Sequence, residues 1–483
     1  MKLIKIKIVL LFLSLTLGNG CTQKKTAKVP KDVEVPISTY LKNAMHRYNI
    51  PGLALAVVQG DTVVYKKYFG NASLSDDIRV KDNTLFRIFS TTKLITATAV
   101  FQLMEDGKLH LEDRITDQLS ELPEHWDKVK VKNLLSHSSG LPDMVRFDQN
   151  LSDAELLSHL SRTTMDFDTG SHFGYNQTNY WLLAKIIEKH TKIPFEKFVI
   201  QQQFPEVTDG FLFSSNSQAQ IPNRAIRYFF NPKTKAFEMD TNNNGKRGHS
   251  GNGANINLEA FIAWNQRLDA NKLIAKETKA RMWTPFSFSN AKDEFLHGWG
   301  VYRVNGEVSY GFTGGNLSAF RKFPEHDITI ILLSNGYQIP AYDIIVNDIA
   351  RLAIPEISTK LPILEDSVMQ YLLDGKLEEA LRMYHALKSE NDQTSFDNLK
   401  SNVNTLGNHL SSEGSQEKAF RIFKWNADAH PDWWIAIAGL AEAYQAMDEN
   451  EKAMYYYEEA IRLNNANEYC YNEIMRKEID HIK

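Results

Sequence analysis

Ser90-Thr91-Thr92-Lys93 sets a hydroxyl three residues before an amine. On a helix that spacing puts both groups on one face, about one turn apart. A lysine that is buried and neutral there can take the serine proton and make a nucleophile. A serine in the first turn also lies in the positive field of the helix dipole, which favours an oxyanion. The same spacing recurs at Ser289–Lys292 and Ser415–Lys418, in a polar loop and a polar turn. Only Ser90 opens a long apolar stretch, Ser90 to Lys108, that can bury its lysine.

Other chemistry-bearing residues are sparser. His137 reads as a structural hydrogen-bonder. His249 and His297 lie near Gly-rich loops that could rim a pocket. Asp240, Asn242, Asn244 and Gly245 match the start of a calcium loop, but Gly251 stands where its closing glutamate belongs, so the reading is a flexible loop. With no His-Glu-x-x-His helix and no paired cysteine site, no metal is implied, and no Gly-rich phosphate loop appears. No cofactor is expected.

The elements that must position Ser90 follow from periodicity. Leu53–Gln59 and Thr62–Phe69 are strand-like and separated by Gly60-Asp61, a hairpin signal. Asn179 to His190 reads as a second helix that stops before Pro194. Trp299–Val304, Glu307–Tyr310, Leu317–Lys322 and Ile328–Leu333 look like successive strands. Strands first, helices in the middle and strands last predict an α+β fold with one antiparallel sheet built from both ends of the domain. The 483 residues are 43% hydrophobic and 24% charged, which is globular composition. A net charge of -4 leaves no basic footprint, so nucleic acid is not an expected partner.

Phe86-Arg87-Ile88-Phe89 leading into Ser90-Thr91-Thr92-Lys93, then Gln102 to Leu109, then Val131 to Leu141 with Leu134-Leu135-Ser136-His137, resemble the β-lactamase-related serine hydrolases. That family holds class C β-lactamases, D-alanyl-D-alanine peptidases and carboxylesterases. The resemblance spans roughly residues 38 to 350. It implies a sheet flanked by helices and a helical subdomain, with the nucleophile Ser90 at the start of the central helix and Lys93 beside it. The family's tyrosine-x-asparagine motif aligns with Tyr175-Asn176-Gln177. Tyr175 carries over as the partner base, a phenol held ionised or passing a proton between serine and leaving group. Gln177 replaces the asparagine, one methylene longer. The third motif aligns with Phe312-Thr313-Gly314-Gly315, where Gly315 would pair its amide with that of Ser90 as an oxyanion hole. Phe312 stands where the family has lysine or histidine, and that cation helps to hold a substrate carboxylate. With Gln177, Thr313 and Gly314 it forms the expected substrate-binding set. Losing a charge-assisted hydrogen bond of about 1.5–3 kcal/mol removes roughly one to two decades of rate. The resemblance therefore favours an ester, amide or uncharged peptide substrate. A D-alanyl peptidase or β-lactamase is the first alternative. A silent domain acting as a binding module is the second.

The chain begins with Lys2, Lys5 and Lys7, then the apolar run Ile8 to Leu17, then Gly18-Asn19-Gly20-Cys21. This resembles a bacterial lipoprotein signal, residues 1–21, lipidated on Cys21; Gly18 stands where an aliphatic residue is usual. It implies a membrane-anchored envelope protein facing the periplasm, with plain secretion as the alternative. Residues 22–36 read as a polar tether and 37–354 as the hydrolase domain. Residues 365–483 read as an all-α domain. Leu406, Ala419, Phe423 and Pro431 recur 34 residues later as Leu440, Ala453, Tyr457 and Asn465, which resembles tetratricopeptide repeats. Tyr371, Ala380 and Tyr384 mark a looser first copy. Such repeats could dock a protein partner or pack on the hydrolase domain.

Overall fold

The computed structural model describes residues 28–290, 293–357, 364–390, 396–464 and 471–482. Cys21 and the expected signal segment lie outside the described residues.

A seven-stranded antiparallel sheet runs through the first domain. In spatial order its strands are Ile78–Arg79, Thr62–Ser73, Gly52–Gln59, Ile328–Ser334, Ser318–Phe323, Glu307–Gly314 and Gly300–Val304. The centre joins the two ends of the domain: Leu53 pairs with Ser334 and Gln59 with Ile328. Gly52–Gln59 and Ile328–Ser334 are buried almost throughout, because helices cover both faces. Across the sheet, alternate residues feed two cores. Ala54, Ala56, Ile331 and Leu333 join the core under the helix Thr92–Glu105. Leu53, Leu55, Ile330 and Leu332 join a second core with the helices Glu34–Arg47 and Tyr342–Ala353.

The helix Thr92–Glu105 is apolar all round, and every residue from Thr92 to Met104 except Gln102 is buried. Around it pack Gln177–Thr191, Phe195–Gln203 and the one-turn helix His249–Asn252. A small sheet of Phe86–Arg87, Ala254–Ile256 and Phe211–Phe213 leads the chain into Ser90.

The expected tether does not extend to residue 36. From residue 28 it is already part of the fold: Val29 and Val33 are buried in the second core, and Glu34 opens a helix. The Lys-rich composition of the stretch hides these two apolar anchors.

The C-terminal region is all helical, with antiparallel pairs Glu365–Leu373/Leu377–Glu390, Phe396–Ser412/Gln416–Ala429 and Trp434–Gln445/Asn450–Leu463, then Tyr471–Ile482. Ala419 and Ala453, and Phe423 and Tyr457, are all buried. The Phe423 ring is wedged against Gly407 and Gly439 of the flanking helices. The first two helices of this region share the second core with the sheet, through Val368, Met369, Leu372 and Tyr384. A buried polar cluster joins the same elements. Arg351 donates to Asp348 at 2.9 Å and to Glu365 at 2.8 Å. Asp348 caps the next helix by accepting from the amides of Glu365 and Asp366, at 2.8 and 3.0 Å. Tyr40 donates to Asp348, and Tyr48 and Arg47 donate to Asp366.

Candidate active site

Ser90 sits in a 3-10 turn, Phe89–Thr91, that runs straight into the buried helix. Phe89 has φ 45°, the left-handed region that disfavours a side chain. Two contacts hold the turn in place: Ser318 Oγ donates to the Ile88 carbonyl at 2.8 Å and meets Thr91 Oγ1 at 2.9 Å. The end of the strand Glu307–Gly314 lies against the same backbone. A Cβ on Gly314 would come within 1.9 Å of the Ile88 oxygen, and one on Gly315 within 2.7 Å of the Phe89 ring. Only glycine fits there, and the fit brings the Gly314–Gly315 backbone to the Ser90 turn.

Three side chains meet Ser90 Oγ. Tyr175 Oη is 2.7 Å away, Asn252 Oδ1 accepts from Ser90 at 2.9 Å, and Lys93 Nζ lies at 3.4 Å. Lys93 also donates to Gln177 Oε1 at 3.2 Å and to the Gly251 carbonyl at 3.0 Å. Asn252 Nδ2 donates to Gln177 Oε1 at 3.0 Å, which closes the network. Gly251 permits this, because a Cβ there would sit 2.8 Å from Gln177 Oε1.

The side chains are held from behind. Asn176 caps the helix Gln177–Thr191, its amide donates to His137 Nδ1 at 3.1 Å, and Asp143 accepts from the Gln177 amide at 3.2 Å. His137 packs its ring 4.6 Å from that of Tyr175, and burial keeps it neutral, well below the ordinary histidine range. Tyr175 is 38% exposed, so it forms the open edge of the site. Thr96 Oγ1 donates to the Ser250 carbonyl at 2.7 Å and ties the helix His249–Asn252 to the Ser90 helix.

Lys93 is fully buried, and burial lowers its amine to about 7. Among the described residues no carboxylate pairs with it; Asp143 acts only at a distance, in the opposite direction. The rings of Tyr175, Tyr180 and Phe312 lie 4.9, 5.0 and 5.9 Å from Nζ. Neutral, the amine has two hydrogens for Gln177 and Gly251 and a lone pair left for Ser90. Tyr175 goes the other way. Desolvation pushes its phenol up to about 12, against hydrogen bonding from Ser90 and Gln177. Of the two roles its motif left open, an ionised base and a protonated relay, the second fits a phenol with one neighbouring amine.

A serine hydrogen-bonded to a tyrosine, with a neutral lysine behind it on one buried helix, is the constellation the motifs implied, and the family model described as Beta-lactamase matches residues 37–353. The chain belongs to the beta-lactamase family. Members of this fold family are serine hydrolases. The chain is 26% identical to penicillin-binding protein 4* of Bacillus subtilis over 335 residues, covering 62% of this chain and 70% of that protein. Protein flp of Staphylococcus aureus is 25% identical over 181 residues, a match that spans 36% of each chain. Among solved structures, a D-amino acid amidase from Ochrobactrum anthropi superposes with a TM-score of 0.55 at 19% identity, over 66% of this chain and 98% of that one. EstCE1, a hydrolase with promiscuous acyltransferase activity, gives 0.56 at 17%, over 65% and 97%.

Within this family frame, Phe312 takes the cation's place as an aromatic wall, 6% exposed, with its ring 6.3 Å from Tyr175 and 6.1 Å from Phe295. Among the described residues no second cation fills the gap. Arg321 lies on the other face of the strand, where it pairs with Asp343 and Thr313. Thr313, expected in the substrate set, turns its hydroxyl to Asp343 at 3.2 Å on that face, because neighbours on a strand point to opposite sides. His249 is bound to Glu196 at 2.5 Å, and His297 is buried against Phe101 and Phe286 and held neutral at about 4 by desolvation. Neither replaces the missing cation. Asp240 is held by Arg227 and Ser217. Sequence reasoning missed Asn252. It looked to His249 for a functional side chain, and the side chain that reaches Ser90 Oγ is three further on.

Proposed function

We propose that this domain hydrolyses esters or amides without a carboxylate beside the scissile bond, through an acyl-enzyme on Ser90. The buried Lys93 amine, 3.4 Å from Ser90 Oγ and donating to two fixed acceptors, Gln177 Oε1 and the Gly251 carbonyl, is the observation that carries this reading. Ser90 Oγ attacks the carbonyl carbon while its proton passes to Lys93. The amides of Ser90 and Gly315 take the oxyanion. As the carbon–leaving-group bond breaks, Tyr175 gives its proton to the leaving group and recovers one from Lys93. Water then releases the acid. The apolar wall at Phe312 supports uncharged acyl or leaving groups, in keeping with the amidase and esterase neighbours. The penicillin-binding relative favours a second reading, a D-alanyl peptidase or β-lactamase, and covalent labelling of Ser90 by penicillin tests it.

The decisive experiment is turnover of p-nitrophenyl butyrate by the protein lacking its first 21 residues, beside Ser90→Ala. Turnover that falls by more than about a thousandfold in Ser90→Ala, with unchanged circular dichroism, is expected. Equal activity in both would overturn the reading.

We further propose that Cys21 anchors the chain to the cell envelope and that the C-terminal pairs are tetratricopeptide-like. Gly20-Cys21 after an apolar run supports the first, and the 34-residue recurrence of a buried alanine and aromatic supports the second. Incorporation of labelled palmitate that is lost in Cys21→Ser checks the anchor.

A further inference from the structure

Asn252 Oδ1 is the acceptor for the Ser90 hydroxyl. Its orientation is fixed by a chain of donors. Lys93 must donate to Gln177 at Oε1, so Asn252 must present Nδ2 to that same oxygen, and this leaves Oδ1 facing Ser90. The Asn252 backbone is also held, its carbonyl accepting from Arg87 Nε at 3.2 Å. The side chain therefore stays where it is when Ser90 changes.

Ser90 does change during catalysis. Once acylated, Oγ is an ester oxygen with no hydrogen. Tyr175 can still donate to it, but Asn252 Oδ1 then faces a second acceptor at hydrogen-bond distance and has lost its donor. A half-buried acceptor in that state takes a new donor. The group that must approach the same carbon next is water, and its proton must reach Lys93, whose amine shares the Gln177 Oε1 acceptor with Asn252. From Oδ1 and Nζ, one water can be held by both hydrogens with its lone pair turned to the acyl carbon.

We propose that Asn252 is the positioning residue for the deacylating water, an inference that rests on the acyl-enzyme reading above. The water oxygen bonds to the acyl carbon, one water proton goes to Lys93 Nζ, and the C–Oγ bond breaks. Lys93 returns that proton to Ser90 Oγ. The second hydrogen stays bonded to the water oxygen, donating to Asn252 Oδ1, and leaves with it as the hydroxyl of the product acid. Before acylation the same oxygen only parks the serine proton, so acylation depends on it far less.

The test is Asn252→Ala, with Asn252→Ser as the second variant, in pre-steady-state hydrolysis of p-nitrophenyl butyrate. Expected are a burst of about one p-nitrophenol per Ser90, a kcat about tenfold to a hundredfold lower and a KM that falls with it. kcat/KM stays within about threefold, and so does the rate of labelling by an alkyl fluorophosphonate. Added hydroxylamine, which attacks without that acceptor, restores turnover. A kcat/KM and labelling rate that fall as far as kcat, with no burst, would show that Asn252 only orients Ser90 and would overturn the proposal. An unchanged kcat would overturn it too. If the wild-type protein shows neither turnover nor Ser90-dependent labelling, the acyl-enzyme reading itself has failed, a result separate from both.

Discussion

Lys93 and Arg351 are both buried basic side chains, and their surroundings are opposite. Arg351 lies between Asp348 and Glu365, with its third nitrogen on Asn305. Lys93 has neutral oxygens and aromatic rings and no paired carboxylate among the described residues. A guanidinium stays charged and forks onto two carboxylates, so it ties the interface between the sheet and the C-terminal helices. An amine in the same degree of burial gives up its proton more readily instead, which suits it to the base role proposed above. The carboxylates also outnumber the cations at the interface, with Asp348, Glu365 and Asp366 facing Arg47 and Arg351. Burial, together with Glu365 and Asp366, pushes Asp348 up to about 7, with Arg351 opposing.

The two sites therefore bias stability with opposite sign around neutral pH. For Lys93 the unfolded chain binds the proton more tightly, so its penalty is full below about pH 7 and fades as pH rises toward the ordinary lysine value. For Asp348 the folded chain binds the proton more tightly. Its contribution is present below the ordinary aspartate value and is lost as pH rises through about 7.

The sharpest break is Lys93→Met. Hydrolysis should fall at least about a thousandfold, while the melting temperature at pH 6 rises by about 3 °C or more, because a buried charge is removed. A lower melting temperature in scanning calorimetry would mean that Lys93 is a structural cation like Arg351. Next is Arg351→Met, which leaves two buried carboxylates without their cation. Urea unfolding should show a loss of about 3–5 kcal/mol, with turnover per folded molecule unchanged. A smaller effect comes from putting a second cation beside the first. Phe312→Lys should raise kcat/KM for substrates carrying a carboxylate by roughly ten- to a hundredfold and shift the pH profile to lower pH, since like charges favour neutral Lys93. In the unaltered protein the acid limb of kcat/KM should climb about tenfold per pH unit and level off near pH 7, as Lys93 loses its proton.

The parts of this comparison were unequally visible in the sequence. Ser90 and Lys93 are three residues apart, and Tyr175 and Gln177 two, so a local motif carried each pair. The strands Gly52–Gln59 and Ile328–Ser334 stood out because both are continuous apolar runs. Asn252 meets Ser90 across 162 residues, on a four-residue helix inside a Gly-rich segment, and nothing local marks it. The two- and three-residue strands around Phe86 and Phe211 were too short for any alternation to register. Arg351, Asp348 and Glu365 escaped for another reason: a salt cluster across a domain junction looks, in sequence, like solvated charge.

The pairing of Leu53 with Ser334 has a temporal consequence. On a ribosome adding about 5–20 residues per second, the inner edge of the first hairpin waits roughly 15–55 seconds for its partner strand. Until then its backbone amides and carbonyls, and the apolar face meant for the Ser90 helix, are open to any other chain. The nascent protein must spend that interval extended or shielded, and the surroundings of Ser90, which include Gly314 and Gly315, are completed only when the chain has been made past them.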